Sequence, residues 1–272
     1  MSSPEEITST ADPRLAPYRD LKDSALRHCA ELAGGYFIIE GRFALETALS
    51  SSYPLESVLV LRRRLSALGG LRLPPTTRVY TVEDDVLAGV AGFDVHRGLL
   101  ALGRRLAAVE PLSLLGDEAL QLVVVVEAVN DQENLGAIFR NAAAFGAGAV
   151  LLCPTCADPL YRRTVRVSLG HSLRVPFARL EAWPEGLQLL GTCGFVPIAL
   201  TPARCAETVE DVAADLRGQR VALLVGGEGP GLTQAVLDRA RLARVPMAPG
   251  VDSLNVAVAL AVALYCFGGP YS

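Results

Sequence analysis

Near its C-terminus the chain reads Val245-Pro246-Met247-Ala248-Pro249-Gly250-Val251-Asp252-Ser253-Leu254-Asn255-Val256-Ala257-Val258-Ala259. An apolar segment leads into a loop rich in proline and glycine, and Ser-Leu-Asn then opens a helix of small apolar residues. A Ser or Asp cap leaves several backbone N–H groups at the start of such a helix unpaired and directed into the loop. The pattern therefore predicts a strand–loop–helix corner that holds a polar ligand edge through main-chain groups.

Two earlier segments share this layout. Residues 129–141 read Val-Asn-Asp-Gln-Glu-Asn-Leu-Gly-Ala-Ile-Phe-Arg-Asn, and residues 223–232 read Leu-Leu-Val-Gly-Gly-Glu-Gly-Pro-Gly-Leu. Each segment follows an apolar run, and each carries Asn, Arg or Glu beside glycine. We expect the three corners to form one composite site.

Bulk composition limits the class of protein. The 272 residues, 51% of them hydrophobic, are sufficient for two domains. No apolar run reaches the ~18 residues of a membrane span, and the polar start shows no export signal, so we expect a cytoplasmic protein without a membrane partner. The net charge of −4 does not by itself predict a nucleic-acid binder. Only local clusters are informative, namely Arg62-Arg63-Arg64 and the group Arg162, Arg163 and Arg166.

The six cysteines are expected to be buried small hydrophobes rather than disulfides. Cys153-Pro154-Thr155-Cys156 is a C-x-x-C pattern directly after a predicted strand. A zinc site would need a second pair at similar spacing, which Cys193 and Cys205 do not supply. We therefore expect no metal, and a structural role is favoured over a redox role.

Strands and helices alternate along the whole chain. In the N-terminal part we predict strands at 36–39, 57–61, 78–81 and 97–102 and helices at 41–49 and 82–90, which together form a small α/β/α domain. The stretch 104–113 lacks a clean period and contains Pro111, so a linker is placed there. Beyond it we predict strands at 122–126, 149–153, 194–200, 221–225 and 243–247, separated by helices at 135–145, 160–168, 184–190, 232–240 and 254–267. This alternation predicts a parallel sheet covered by helices on both faces, with domains at 1–107 and 108–272.

In combination, three patterns closely resemble the signature motifs of the SpoU/TrmH family. They are Asn-x-Gly-x-x-x-Arg at 134–140, Gly-x-Glu-Gly-x-Gly-Leu at 226–232 and Ser-Leu-Asn-Val at 253–256. Members of that family are SPOUT-class RNA 2'-O-ribose methyltransferases that use S-adenosylmethionine. The resemblance covers about residues 121–268. It implies an α/β fold with a C-terminal parallel-sheet SPOUT domain tied in a deep trefoil knot, and a smaller N-terminal domain like a ribosomal RNA-binding protein. Periodicity alone would predict an ordinary doubly wound sheet.

The resemblance also implies an activity and a set of site residues. The expected reaction is methyl transfer to a ribose 2'-hydroxyl of rRNA or tRNA, carried out by a homodimer. The implied catalytic residues are Asn134, Arg140, Glu228, Ser253 and Asn255. The implied cofactor-binding residues are Leu200, Thr201, Gly226, Gly227, Val245, Met247 and Leu254.

Several roles stay open from the sequence. Arg140 is either the base that accepts the hydroxyl proton or a permanently charged clamp. Asn134, Ser253 and Asn255 can equally serve as helix caps. Arg166, with Ser168 and Gly170, falls beside the implied site and is either a phosphate contact or part of a solvated face.

Two alternatives to the enzyme remain. One is a non-catalytic RNA-binding or assembly factor on the same fold, which the presence of Asn134, Arg140 and Glu228 disfavours. The other is an unrelated α/β nucleotide-binding enzyme, although residues 227–231 do not give the G-x-G-x-x-G pattern of nicotinamide cofactors. His96-Arg97-Gly98 stands where the family commonly has His-Gln-Gly, which leaves the identity of the RNA open.

Overall fold

The computed structural model describes residues 4–22, 24–95, 98–227 and 229–268. The predicted catalytic residue Glu228, and also His96 and Arg97, lie outside the described residues. The strands are β1 (Glu5–Glu6), β2 (Tyr36–Glu40), β3 (Leu55–Leu61), β4 (Arg78–Val82), β5 (Leu99–Arg104), β6 (Leu122–Glu127), β7 (Ala149–Leu152), β8 (Phe177–Arg179), β9 (Phe195–Leu200), β10 (Glu207–Thr208), β11 (Arg220–Gly226) and β12 (Arg241–Arg244).

The α-helices are α1 (Ser24–Gly34), α2 (Arg42–Leu49), α3 (Asp84–Ala91), α4 (Pro111–Leu115), α5 (Gln132–Ala144), α6 (Arg162–Val167), α7 (Gln188–Thr192), α8 (Val209–Asp215), α9 (Gln234–Leu237) and α10 (Val256–Gly268). Short 3-10 helices lie at Pro13–Tyr18, Arg62–Leu68, His171–Leu173 and Glu185–Leu187. Across the described residues, no helix has both the length and the apolar character needed to cross a lipid bilayer.

The chain divides into two compact units. The first contains Met1–Ala107 together with Leu160–Arg174, and the second contains Ala108–Pro159 together with Val175–Ser272. The division after Ala107 falls where the linker was predicted. The structure differs from the expected 108–272 domain in one segment, because Leu160–Arg174 packs with the first unit.

The first unit is built on a mixed sheet. Among the described residues its strand order is β1-β4-β3-β5-β2, with β3 and β4 parallel and β5 antiparallel to both β2 and β3. Leu15, Tyr18, Ile38 and Leu59 are fully buried beside this sheet. The Tyr18 hydroxyl lies 2.8 Å from Oγ of Ser57, which satisfies both buried polar groups.

A buried carboxylate explains why Leu160–Arg174 belongs to the first unit. Glu40, at the end of β2, is 5% exposed and forms ion pairs with Arg162 and Arg166. Arg162 also donates to the carbonyl of Leu21 at 3.2 Å. The proposed phosphate contact Arg166 is therefore engaged with Glu40, at 3.3 Å, although its side chain is 45% exposed. A charge pair buried to this degree fixes the segment, since a buried charge without a partner is costly.

The second unit is a sheet that is parallel throughout its described strands. The order is β10-β12-β9-β11-β6-β7-β8. The alternate residues Val123 and Val125 of β6 face one apolar layer, whereas Val124 and Val126 face the other. Burial on both faces explains the continuous apolar runs of the sequence. The carboxyl ends of β6, β9, β11 and β12 consequently meet at one edge of the sheet, where ligands bind in open α/β folds.

Three predicted boundaries in this unit are corrected. The strand expected at 243–247 is Arg241–Arg244, so Val245 and Met247 lie in the loop after it. Helix α5 begins at Gln132 instead of residue 135, and α10 begins at Val256 instead of residue 254. Pro111, read as a helix breaker, opens the short helix α4, where its missing N–H costs nothing.

Candidate functional site

The first corner follows β6. Ala128 takes a positive φ of 53°, and Asp131 then caps α5 by accepting the N–H of Asn134 at 2.8 Å. Asn134 therefore lies inside the first turn of α5. The sequence left the N-cap role open to Asn134, but in the structure Asp131 is the N-cap. The side chain of Asn134 does not form the N-cap of α5.

A hydrogen bond joins the first corner to the third. The amide Nδ2–H of Asn255 donates to Oδ1 of Asn134 at 2.8 Å. Oδ1 of Asn255 accepts from the N–H groups of Ala257 at 3.0 Å and Val258 at 3.3 Å, so Asn255 also caps α10. Asn255 therefore has both roles, since it caps α10 and also contacts Asn134 within the site. Two helical turns after Asn134 on α5, the side-chain amide of Asn141 donates to the carbonyl of Ala257 at 2.7 Å.

Arg140 lies on a different face of α5. It is six residues beyond Asn134, which places it about 120° around the helix from that side chain. Arg140 is exposed, and no hydrogen bond or ion pair joins it to any part of the chain that the structure describes. A charged guanidinium in this state is available to an anionic ligand.

The predicted cofactor residues share one cavity of about 540 Å³. Leu200, Thr201, Gly226, Gly227, Val245, Met247 and Leu254 all line it, and so do Ser253 and Asn255 of the third corner. The cavity lies at the carboxyl ends of β9, β11 and β12, and its size is typical of a small-molecule site. Its lining residues come from the second and third corners and from the loop after β9.

The second corner is a tight loop that requires glycine. A Cβ atom on Gly226 would lie 2.2 Å from the carbonyl carbon of Gly231, and one on Gly227 would lie 2.4 Å from the oxygen of Ala128. The N–H of Gly231 donates to the carbonyl of Gly227 at 3.2 Å, which folds the loop back on itself. Gly229 and Gly231 have φ values of 91° and 68°, which favour glycine. The loop thus brings bare backbone against the cavity.

Glu127 was missed from the sequence. This carboxylate ends β6, is 3% exposed, and accepts from the Trp183 indole N–H at 2.8 Å. It also accepts the backbone N–H of Thr233 at 2.8 Å and the Thr233 hydroxyl at 2.9 Å. Glu127 therefore ties the first corner to the end of the glycine loop. An acidic residue closing an otherwise apolar strand was the available signal.

Replacing Glu127 should destabilise this unit. In Glu127→Ala the N–H groups of Trp183 and Thr233 lose their acceptor, and the loss of hydrogen bonds to a carboxylate costs about 1–3 kcal/mol. We expect the free energy of unfolding, measured by urea titration, to fall by about that amount. The exposed carboxylate Glu118 provides the matched control, because Glu118→Ala should change the same quantity by less than about 0.5 kcal/mol. Equal effects of the two substitutions would contradict the role given to Glu127.

The parallel sheet and the cavity at its carboxyl edge place this protein among the α/β proteins that bind ligands at the ends of their strands. The model of the SpoU rRNA Methylase family matches residues 121–265. The chain is 41% identical over 262 residues to an uncharacterized tRNA/rRNA methyltransferase of Mycobacterium bovis, covering 96% of this chain and 90% of that protein. The chain belongs to the SpoU rRNA methylase family, as its three motifs predicted.

Two further relatives extend the comparison. The 23S rRNA (guanosine-2'-O-)-methyltransferase RlmB of Ralstonia nicotianae is 33% identical over 194 residues, which cover 69% of this chain and 75% of RlmB. The crystal structure of an AdoMet-bound rRNA methyltransferase from Sinorhizobium meliloti superposes with a TM-score of 0.81 at 23% identity and covers 97% of each chain. At 23% identity, the comparison with the Sinorhizobium meliloti protein shows a shared fold.

Proposed function

We propose that this protein transfers the methyl group of S-adenosylmethionine to a ribose 2'-hydroxyl of rRNA or tRNA. The observation that carries the proposal is that all seven expected cofactor residues line one cavity, with Asn255 of the third motif bonded to Asn134 of the first beside it. The relative RlmB acts on a guanosine 2'-hydroxyl of 23S rRNA, which supports the same reaction here. A ribosomal RNA is accordingly the first substrate to test.

The cavity fits the cofactor through its backbone. Gly226 and Gly227 leave no room for a side chain, so main-chain groups of this loop can approach a ligand directly. Leu200, Val245 and Met247 supply apolar walls. When bound, S-adenosylmethionine supplies an electrophilic methyl group.

The remaining residues position and activate the ribose. A ribose hydroxyl is too weakly acidic to ionise unaided near neutral pH, so nearby positive charge lowers the barrier to its attack. Because a guanidinium group is a poor base, we assign Arg140 the role of a charged clamp on the hydroxyl and the adjacent phosphate. Asn134, held by Asn255, is assigned to orient the substrate, with Glu228 and Ser253 completing the catalytic set.

Three features of the assembly belong to this proposal. The last strand and α10 thread a loop to form a trefoil knot. The position of β9 between β11 and β12 supports this knot, and an unknotted experimental chain trace would exclude it. The first unit binds the RNA, as crosslinking of substrate RNA would test. The enzyme is a homodimer, since Val251, Leu254, Val258 and Tyr265 expose 38–65% of their surface around α10. A sedimentation mass of a single 28.8 kDa chain would exclude that assembly.

Cofactor binding and methyl transfer test the function together. Calorimetric titration of the full chain should show heat with S-adenosylmethionine and with its demethylated product, and little with ATP or a nicotinamide dinucleotide. Incubation with unmodified 23S rRNA and radiolabelled cofactor should place the label on ribose. Binding of RNA without transfer would instead identify an assembly factor, and binding of ATP alone would identify an unrelated nucleotide enzyme.

A further inference from the structure

A pair of buried thiols lies beside the first corner. Cys153 and Cys156 follow β7, are 1% and 6% exposed, and place their sulfur atoms 3.6 Å apart. The N–H of Cys156 donates to the carbonyl of Cys153 at 3.2 Å, which closes the turn between them. Both are buried as the sequence predicted for all six cysteines, whereas Cys29 and Cys205 are exposed and correct that expectation. The sulfur atoms of Cys153 and Cys156 also face each other.

Hydrogen bonds make the two thiols unequal. Sγ of Cys153 accepts from the N–H of Ala128 at 3.1 Å and lies 3.1 Å from the hydroxyl of Thr155. The hydrogen bond from Cys156, aided by Thr155 and Ala128, lowers the pKa of the Cys153 thiol. The same bond and burial raise the pKa of Cys156, whose sulfur also lies 3.2 Å from the carbonyl of Val126. The hydrogen bonds thus converge on the Cys153 sulfur, an arrangement that favours the thiolate at this position in reactive C-x-x-C motifs.

Arg179 holds the turn in place. Its Nη1 donates to the carbonyls of Cys153 at 3.2 Å, Pro154 at 3.3 Å and Cys156 at 3.2 Å, and its Nη2 donates to that of Ala157 at 3.2 Å. A guanidinium enclosed by these carbonyls fixes the backbone on both sides of the thiols.

The thiols are linked to the cofactor cavity through one residue. Ala128, whose N–H is bound by Cys153, sits at the strained φ of 53° directly after Glu127. Its carbonyl oxygen packs so closely on Gly227 that a Cβ there would approach it to 2.4 Å. A change at the Cys153 sulfur therefore acts on a residue that supports the glycine loop.

We propose that Cys153 and Cys156 form a modification site, at which a small hydroperoxide converts the dithiol into a disulfide and weakens cofactor binding. The Cys153 thiolate attacks the O–O bond of hydrogen peroxide, giving a sulfenic acid and hydroxide. The Cys156 thiol then attacks the sulfenic sulfur, and water leaves as the S–S bond forms. The proton first lost from Cys153 neutralises the hydroxide, so two thiols and one peroxide give one disulfide and two waters.

Disulfide formation disturbs the contacts just described. The sulfur atoms must close from 3.6 Å to about 2.05 Å. A disulfide sulfur is a weaker acceptor than a thiolate, so the bond from Ala128 weakens, and Cys156 has no hydrogen left to donate to either Cys153 or the carbonyl of Val126. Ala128 and the loop packed on it then lose part of their support. The effect on binding rests on the proposed function, whereas formation of the disulfide does not.

Peroxide treatment of the full chain tests the proposal. After denaturation and alkylation, peptide mass mapping should reveal a Cys153–Cys156 disulfide, and the affinity for S-adenosylmethionine should fall at least ~5-fold and recover with dithiothreitol. Cys153→Ser and Cys156→Ser should abolish this response, and Cys153→Ala serves if a serine variant does not fold. The exposed thiols Cys29 and Cys205 provide the control, because Cys29→Ser and Cys205→Ser should leave it intact.

Each outcome bears on a separate part of the proposal. Oxidation of Cys29 and Cys205 without any Cys153–Cys156 bond would overturn the modification site. A disulfide that leaves cofactor affinity unchanged would overturn its link to the cavity. If the reduced protein binds no S-adenosylmethionine at all, the proposed function fails, but mass mapping still decides whether the disulfide forms.

Discussion

Arg140→Ala should reduce methyl transfer by at least ~100-fold while leaving the affinity for S-adenosylmethionine unchanged. The guanidinium is exposed and unpaired within the described part of the chain, so its removal leaves no buried partner unsatisfied and should not disturb the fold. The cofactor residues lie on other elements, and Arg140 does not line their cavity. The loss of a positioned electrostatic group in a transition state costs factors of about 10²–10³. Single-turnover rates at saturating RNA and cofactor measure the effect, and calorimetry measures the affinity.

Two further substitutions sharpen this test. Arg140→Lys keeps the charge but loses the planar fork, so it should recover little activity if bidentate geometry matters. Arg217 is also exposed but borders a different cavity, at the amino ends of β6 and β11, and Arg217→Ala should keep full activity. An Arg140→Ala enzyme within a few-fold of the parent would remove Arg140 from the mechanism.

Most of the cavity was predictable because its lining residues lie mainly in the second and third motifs, whereas Leu200 and Thr201 follow β9 outside the three motifs. Parallel strands bring their carboxyl ends to one edge, so residues such as Leu200, Gly226 and Met247 meet without any knowledge of distant packing. Motif resemblance then assigned them a ligand. The family is confirmed by the comparisons, whereas the individual roles stay predictions.

Features that depend on tertiary contacts were not predictable. Glu40 binds Arg162 across 122 residues of sequence, and this contact draws Leu160–Arg174 into the first unit. Glu127 binds Thr233 across 106 residues. No local period marks such pairs. Short elements were missed for a related reason, since β10 has two residues and β8 has three, too few to show an alternation.

Gly226→Ala should weaken S-adenosylmethionine binding at least ~10-fold. The added methyl would lie 2.2 Å from the carbonyl carbon of Gly231 and 2.3 Å from its oxygen, and both are backbone atoms that cannot rotate away. The loop must shift, and overpacking of this kind costs about 1–3 kcal/mol. Because Gly226, Gly229 and Gly231 all line the cavity, the shift changes the surface offered to the ligand. Calorimetry gives the affinity directly.

The control for this substitution is Gly191→Ala. Gly191 lies in α7, and a Cβ there meets no atom within 4 Å, so alanine should leave binding unchanged and slightly favour the helix. Thermal melting with and without ligand provides a second measurement, because stabilisation by a ligand falls as its dissociation constant rises. The Gly226→Ala protein should therefore show a smaller ligand-induced rise in Tm than either the parent or Gly191→Ala. If all three proteins gain the same Tm from S-adenosylmethionine, the glycine loop does not form the cofactor surface and the ligand binds elsewhere on the chain.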